Sequence, residues 1–234
     1  MNNDLSAKPS VVYHLLRQAV FEQSLIFMQG VLGKKGTLID LGAGHCAFSR
    51  MAHAMGWKAT ALDVRKERVP DLPGEIGFIH GDINSMVWNP ADYDVILCLG
   101  VYYHLDQNMQ HRLLERCKGK PIIIDTHIAN PPGMPTRYGR MLGETYEKNG
   151  EWGADYKEAP HLDDKARKET GLLASYDNPT SWWQTKDSLL QTLHQYGWPH
   201  VWTFDYDGLD FVQRTFFVCN TVDQSGTGLS GIRI

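Results

Sequence analysis

The chain has 234 residues and a mass of 26.5 kDa, enough for one large domain, or two small ones, around a well-buried core. With 42% hydrophobic, 21% charged and 11% aromatic residues it lies in the globular range, outside the disordered, collagenous and low-complexity classes. Lys plus Arg number 23 against 27 for Asp plus Glu, so the net charge of -4 gives no global reason to expect a nucleic-acid backbone as partner.

Residues 11–32 place Val12, Leu15, Leu16, Ala19, Leu25, Met28 and Leu32 at mostly three- and four-residue spacing, which predicts an amphipathic helix covering the rest of the domain. Thr37–Leu41 reads as a short buried strand that runs into Gly42-Ala43-Gly44, then a helix through Phe48, Met51 and Met55. Lys58–Asp63, Gly77–Asp82 and Tyr93–Gly100 continue the alternation as strands. A helix over about 106–117 and the strand Pro121–Asp125 come next. Continuous apolar runs separated by helices imply a parallel sheet covered on both faces. After Ile128 the rhythm breaks: residues 129–180, including Tyr138, are rich in Gly, Pro, Tyr and charge and too long for an ordinary loop, so they form a lid or a substrate-binding insertion. A helix over 186–196 and strands near 201–204 and 215–219 close the domain, and the tail from Asp223 reads as mobile. The chain divides into an N-terminal helical cover (1–36), a core (37–128), the insertion (129–180), the completion of the core sheet (181–222) and the tail (223–234). Four scattered cysteines, no export signal and no membrane-spanning stretch point to free thiols in a reducing cytoplasm, away from membranes.

The glycines of Gly42-Ala43-Gly44 let the backbone approach a ligand at the start of a helix. Nineteen residues past Gly44, Asp63 ends the second strand, where a carboxylate can accept both hydroxyls of a ribose. The pair signals an adenosine cofactor, and Gly42-x-Gly44-x-x-Ala47 alone does not separate a nicotinamide from S-adenosylmethionine (SAM). Asp82, after the third strand, can reach an adenine amino group.

In Leu38-Ile39-Asp40-Leu41-Gly42-Ala43-Gly44, Ala61-Leu62-Asp63, Phe78-Ile79-His80-Gly81-Asp82-Ile83 and Tyr93-Asp94-Val95-Ile96 the chain resembles the class I SAM-dependent methyltransferases over residues 35–220. Cys46 stands where that family has its third glycine. The resemblance implies a Rossmann-like α/β fold, a seven-stranded sheet in the order 3-2-1-4-5-7-6 with the last strand antiparallel, helices on both faces and a lid insertion. It also implies SAM as the cofactor, held by Asp40 near the methionine end, by Gly42, Gly44, Asp63, Asp82 and Ile83, and by Leu99 and Tyr103. Within the family, Gly100-Val101-Tyr102-Tyr103-His104 and Asp177-Asn178-Pro179-Thr180-Ser181-Trp182-Trp183 resemble a group that includes tRNA wobble-uridine carboxymethyltransferases and bacterial small-molecule and glycan methyltransferases. Asp177 takes the place where the carboxymethyltransferases carry an arginine, which favours ordinary SAM over carboxy-SAM.

The segment after the fourth strand lies at the carboxyl edge of the sheet, where open α/β folds bind ligands. Tyr103 can face a sulfonium. His104 and His127 are both candidate bases for an acceptor hydroxyl, with Asp125 orienting the base or binding substrate. Tyr102, Asn178, Trp182 and Trp183 are candidate acceptor contacts; of two adjacent tryptophans one points to the pocket and the other packs, and loss of either weakens acceptor use more than SAM binding. No third ligand clusters with the Asp and His pair, so no metal is expected. The reading is a methyltransferase acting on a hydroxyl, or less readily an amine, of a small molecule or glycan. Its rivals are carboxymethyl transfer from carboxy-SAM to a tRNA or small molecule, a nicotinamide oxidoreductase, and a non-catalytic SAM- or adenosine-binding module.

Overall fold

The apolar runs of the sequence become the strands at the centre of a sheet buried on both faces. The computed structural model describes residues 9–134, 141–170, 174–207 and 213–221. Tyr138 and the tail from Asp223 lie outside them. In chain order the elements are α1 (Pro9–Leu32), β1 (Thr37–Leu41), α2 (Ala47–Ala54), β2 (Lys58–Asp63), β3 (Gly77–His80), β4 (Val95–Leu99), α3 (Gln107–Cys117) and β5 (Ile122–His127). The second part of the chain holds β6 (Tyr146–Lys148), β7 (Glu151–Lys157), α4 (Asp164–Thr170), β8 (Thr180–Gln184), α5 (Lys186–Gln195), β9 (His200–Asp207) and β10 (Gln213–Asn220).

The main sheet runs β3-β2-β1-β4-β5-β10-β9. The first five strands pair in parallel, while β10 lies antiparallel to both β5 and β9. With β9 and β10 as the sixth and seventh strands of this sheet, the order is the expected 3-2-1-4-5-7-6. Strand β4 is buried at every residue, as a central parallel strand between two helical layers must be. On one face Ile39, Leu62, Ile96 and Cys98 meet Leu113 and Leu114 of α3 and Leu189 and Leu193 of α5. On the other, Leu38, Val95, Leu97 and Phe216 meet Phe21, Leu25 and Met28 of α1 and Ala52 of α2. All four cysteines are buried free thiols, and burial pushes Cys117 up to about 12.

Two expectations change. In α1 the C-terminal half covers the sheet through Phe21, Leu25 and Met28, but Val12, Leu15 and Leu16 point to solvent. The N-terminal half overhangs the carboxyl edge of the strands, and it turns Tyr13, His14, Arg17 and Gln18 onto a cavity there. Second, β8 pairs antiparallel with β7, and β6, β7 and β8 form a separate three-stranded sheet. The insertion's sheet therefore runs through Gln184, so Trp182 and Trp183 stand on it and not on the completion of the core.

Candidate active site

Strand β1 ends in a turn whose glycines lie in the left-handed region, at φ +66° for Gly42 and +53° for Gly44. A Cβ on Gly42 would come within 2.8 Å of the Val101 side chain, so this turn and the loop after β4 can approach each other only with glycine here. Cys46, in the third glycine's place, also takes a left-handed conformation, at φ 56°, and α2 begins at the next residue. The Asp63 carboxylate accepts the Gly44 amide on Oδ2 and the Arg65 amide on Oδ1, both at 2.7 Å. Each oxygen has a further lone pair, and Asp63 lines the cavity. Asp82, beyond β3, accepts the Asn84 amide at 2.7 Å and stands on the same wall with Ile83.

The cavity encloses about 650 Å³, within the range of cofactor and small-ligand sites. Gly42, Gly44, Asp63, Asp82, Ile83, Leu99, Tyr103, His104, His127, Asn178 and Trp183 line it. Asp40, Asp125, Tyr102 and Trp182 do not. Asp40 is buried behind the glycine turn, where it accepts the Ser49 hydroxyl at 2.7 Å; burial outweighs that bond and pushes its pKa up to about 6. Tyr102 lies in the core with its hydroxyl on Gln184 at 3.2 Å, and Trp182 is buried against Tyr146 and Gly153. The expectation that these two contact the acceptor is corrected by their burial: the backbone turn at 102–104 and the pleat of β8 send one of each adjacent aromatic pair into the core. Their neighbours Tyr103 and Trp183 take the cavity side.

Asp125 is likewise withdrawn from the cavity, at 0% exposure. Its carboxylate receives Arg17 Nε at 2.6 Å, Arg214 Nη2 at 2.8 Å and the Tyr206 hydroxyl at 2.8 Å. Burial alone would raise its pKa, but Arg214 and Arg17 outweigh it and hold the carboxyl at about 2. The carboxylate thus positions two guanidiniums that do line the cavity, Arg17 from α1 and Arg214 from β10. Arg17 also donates to the Leu99 carbonyl at 3.1 Å.

The two histidines differ. Arg214 Nη1 lies 3.0 Å from His127 Nε2, so the guanidinium donates and the ring nitrogen accepts. Burial, then Arg214, hold His127 well below the ordinary histidine pKa. Its ring stacks on Trp183 at 4.7 Å, and Trp183 stacks also on Tyr156 at 4.5 Å, while its indole N–H donates to the Tyr103 carbonyl. His104 stands on the 3-10 turn Tyr102–His104, with Nδ1 2.9 Å from Oε1 of Glu158, a residue just past β7 that is 2% exposed. Three residues of this wall, Arg17, Arg214 and Tyr156, and Glu158 behind it, carry no functional signal in the sequence. Arg17 sits on what reads as the polar face of a covering helix, and Glu158 is one charge among many in the insertion.

The donor set fits SAM. Asp63 has acceptor capacity for two hydroxyls, Asp82 and Ile83 stand on the same wall where they could flank a base, and the Arg17 guanidinium lies near the end of β4 where it could meet a carboxylate. Among the described residues no group of three or more His, Cys, Asp or Glu side chains could hold a metal ion, and no helix is long and apolar enough to cross a membrane.

Residues 39–119 match the model of a methyltransferase domain family. Solved structures of similar fold include the N-terminal domain of EvdMO1 with S-adenosylhomocysteine (SAH) bound, at 16% identity and a TM-score of 0.61 over 92% of this chain and 82% of that one. Another is the Burkholderia thailandensis 1,6-didemethyltoxoflavin-N1-methyltransferase with its acceptor and SAH, at 14% identity and a TM-score of 0.58 over 90% of this chain and 84% of that one. A third is the magnesium protoporphyrin IX methyltransferase of Synechocystis PCC 6803 with SAH, at 12% identity and a TM-score of 0.53 over 88% and 84%. No curated protein matches the chain. At these identities the neighbours establish the fold, which is the class I methyltransferase fold.

Proposed function

We propose that this protein, a SAM-dependent methyltransferase by its domain and its fold, transfers the methyl group to a hydroxyl of a small molecule or glycan, with His104 as the base. The observation that carries the reading is the contrast between the two histidines on the cavity wall. His127 already spends its Nε2 lone pair on Arg214, whereas the Glu158 carboxylate can only accept from His104 Nδ1–H, which in the neutral ring leaves Nε2 as the acceptor. Structural neighbours bound to a toxoflavin precursor, or crystallised with D-fucose present, support an acceptor of that size.

SAM supplies an electrophilic methyl carbon on a sulfonium. Asp63 would hold the ribose, Asp82 and Ile83 the adenine, and Arg17 the carboxylate of the methionine moiety, which would turn the encounter into an intramolecular one; such positioning supplies most of the rate. Tyr103 and Leu99, on the cavity wall, would border the methyl group. His104 Nε2 would take the acceptor's hydroxyl proton as the acceptor oxygen gains the methyl group that SAM would supply, with S-adenosylhomocysteine as the leaving group. A positioned base contributes roughly 10²–10⁴-fold.

Calorimetry with SAM and transfer of a labelled methyl group to a panel of phenols and hexoses test this. Asp63→Ala should lower SAM affinity about tenfold or more, since it removes charge-assisted bonds to the ribose. His104→Gln should cut kcat by roughly 10²–10⁴-fold with SAM affinity unchanged. Absence of SAM binding, or an Asp63→Ala variant that binds as well as the parent, sinks the cofactor assignment, and undiminished transfer by His104→Gln sinks the base.

A further inference from the structure

We infer that Glu158, carried on the insertion, is a positioning residue for the reaction: it fixes the tautomer of His104 and thereby decides which ring nitrogen faces the acceptor. The inference rests on His104 being the base. Glu158 is 2% exposed, and no Lys or Arg pairs with it among the described residues. Its charge is met by three donors instead. Oε1 takes His104 Nδ1 at 2.9 Å and the Ser181 hydroxyl at 2.8 Å, and Oε2 takes the backbone amide of Ser175 at 2.9 Å. A buried carboxylate with neutral donors alone gains most from a neighbour that can become cationic, and of these three donors only His104 can.

Other groups around the ring do not compete for Nδ1. Tyr103 adjoins the His104 ring at 4.3 Å between centroids, Arg214 lies over Tyr103 at 5.0 Å, and His127 meets Tyr103 edge-on at 4.4 Å. Tyr156 and Asp177 stand elsewhere on the cavity wall, and Asp177 is paired with Lys168 at 3.0 Å. Segment 174–178 joins the two halves of the site. Arg65, beside Asp63, donates to the Ala174 carbonyl at 3.2 Å, and Glu158 holds the amide of the next residue, Ser175. The insertion thus closes on the adenosine side and aligns the base through the same few residues.

Chemistry predicts what Glu158→Gln would do. A carboxylate accepts on both oxygens, but an amide has one acceptor and one donor. The Ser175 amide is a fixed donor, so the glutamine turns its oxygen there and its NH2 group toward His104. The ring must then accept on Nδ1 and carry its proton on Nε2, where it can no longer take one from the acceptor.

The test uses the full chain with SAH bound and ¹⁵N-labelled histidine. In the parent protein, the His104 shifts should show Nδ1 protonated and Nε2 bare. In Glu158→Gln they should be exchanged, with kcat for the phenol and hexose panel down roughly 10²–10⁴-fold and SAM affinity and KM unchanged. Glu158→Asp, which keeps both acceptor oxygens, should restore the parent tautomer and part of kcat. A parent tautomer with Nε2 protonated overturns the inference without need of any variant, and so does a folded Glu158→Gln whose tautomer and kcat are those of the parent. Loss of kcat in His104→Gln but not in Glu158→Gln overturns this inference alone. The parent tautomer together with undiminished transfer by His104→Gln overturns the assignment of the base and, with it, this inference.

Discussion

Asp125 shows how much a single residue's role depends on what lies beside it. An acid at the end of a strand next to a histidine reads as catalytic, yet Arg17, Arg214 and Tyr206 surround its carboxylate and none of it reaches the cavity. Its task is to hold two guanidiniums in place. Asp125→Asn leaves those charges uncompensated, so we expect a loss of about 3–5 kcal/mol in urea unfolding, where a purely catalytic acid would leave stability intact. Asp63 and the glycine turn were legible because their arrangement depends on backbone geometry and chain spacing, both of which are written locally. Arg17 and Arg214 were not, because their partner is 108 residues away from one and 89 from the other.

At the scale of elements, β8 separates two tryptophans that the sequence placed together. Successive side chains on a strand face opposite ways, which foretold that one packs and one faces the pocket, but not which. Trp182 fills the space left by Gly153, where a Cβ would lie 2.6 Å from the indole, and it meets Lys148 at 5.1 Å. Trp182→Ala should therefore cost about 3–5 kcal/mol of stability and leave KM for the acceptor unchanged, as urea unfolding and initial rates would show. Trp183 stacks on His127 and Tyr156 and anchors the Tyr103 carbonyl, so its loss acts on the cavity wall. Helix α1 carries the same lesson. Its spacing predicted a helix correctly, but the helix projects past the sheet at its N-terminal end, and there the residues that touch the protein are polar.

Over the whole molecule, opposing titrations shape stability. Asp40, with its folded pKa raised from the ordinary 3.8 to about 6, binds its proton more tightly when folded; the stability it adds is full below about pH 4 and fades as pH rises through 6. His127 has the reverse sign, because its folded pKa lies well below 6.5: its contribution is full above pH 6.5 and is lost as pH falls. Asp125 joins that loss only as pH falls from about 4 toward 2. Just below pH 6 Asp40 and His127 therefore act in opposite directions. Asp40→Asn removes one side, so its unfolding free energy should fall more steeply on acidification than the parent's, by about 1.4 kcal/mol per pH unit between about pH 6 and 4.

The sequence by itself determined the strands of the sheet and the glycine turn at its carboxyl edge, and the strand order followed from the family resemblance. The first two rest on apolar runs, on helices between them and on a turn that only glycine permits, all of them signals within a few residues of one another. Tertiary structure alone decided which member of each aromatic pair faces the cavity, and which charges touch the two histidines. Glu158 meets His104 across 54 residues of chain, and Arg214 meets His127 across 87. Side-chain basicity and tautomer are set by such neighbours, which no spacing along the chain records.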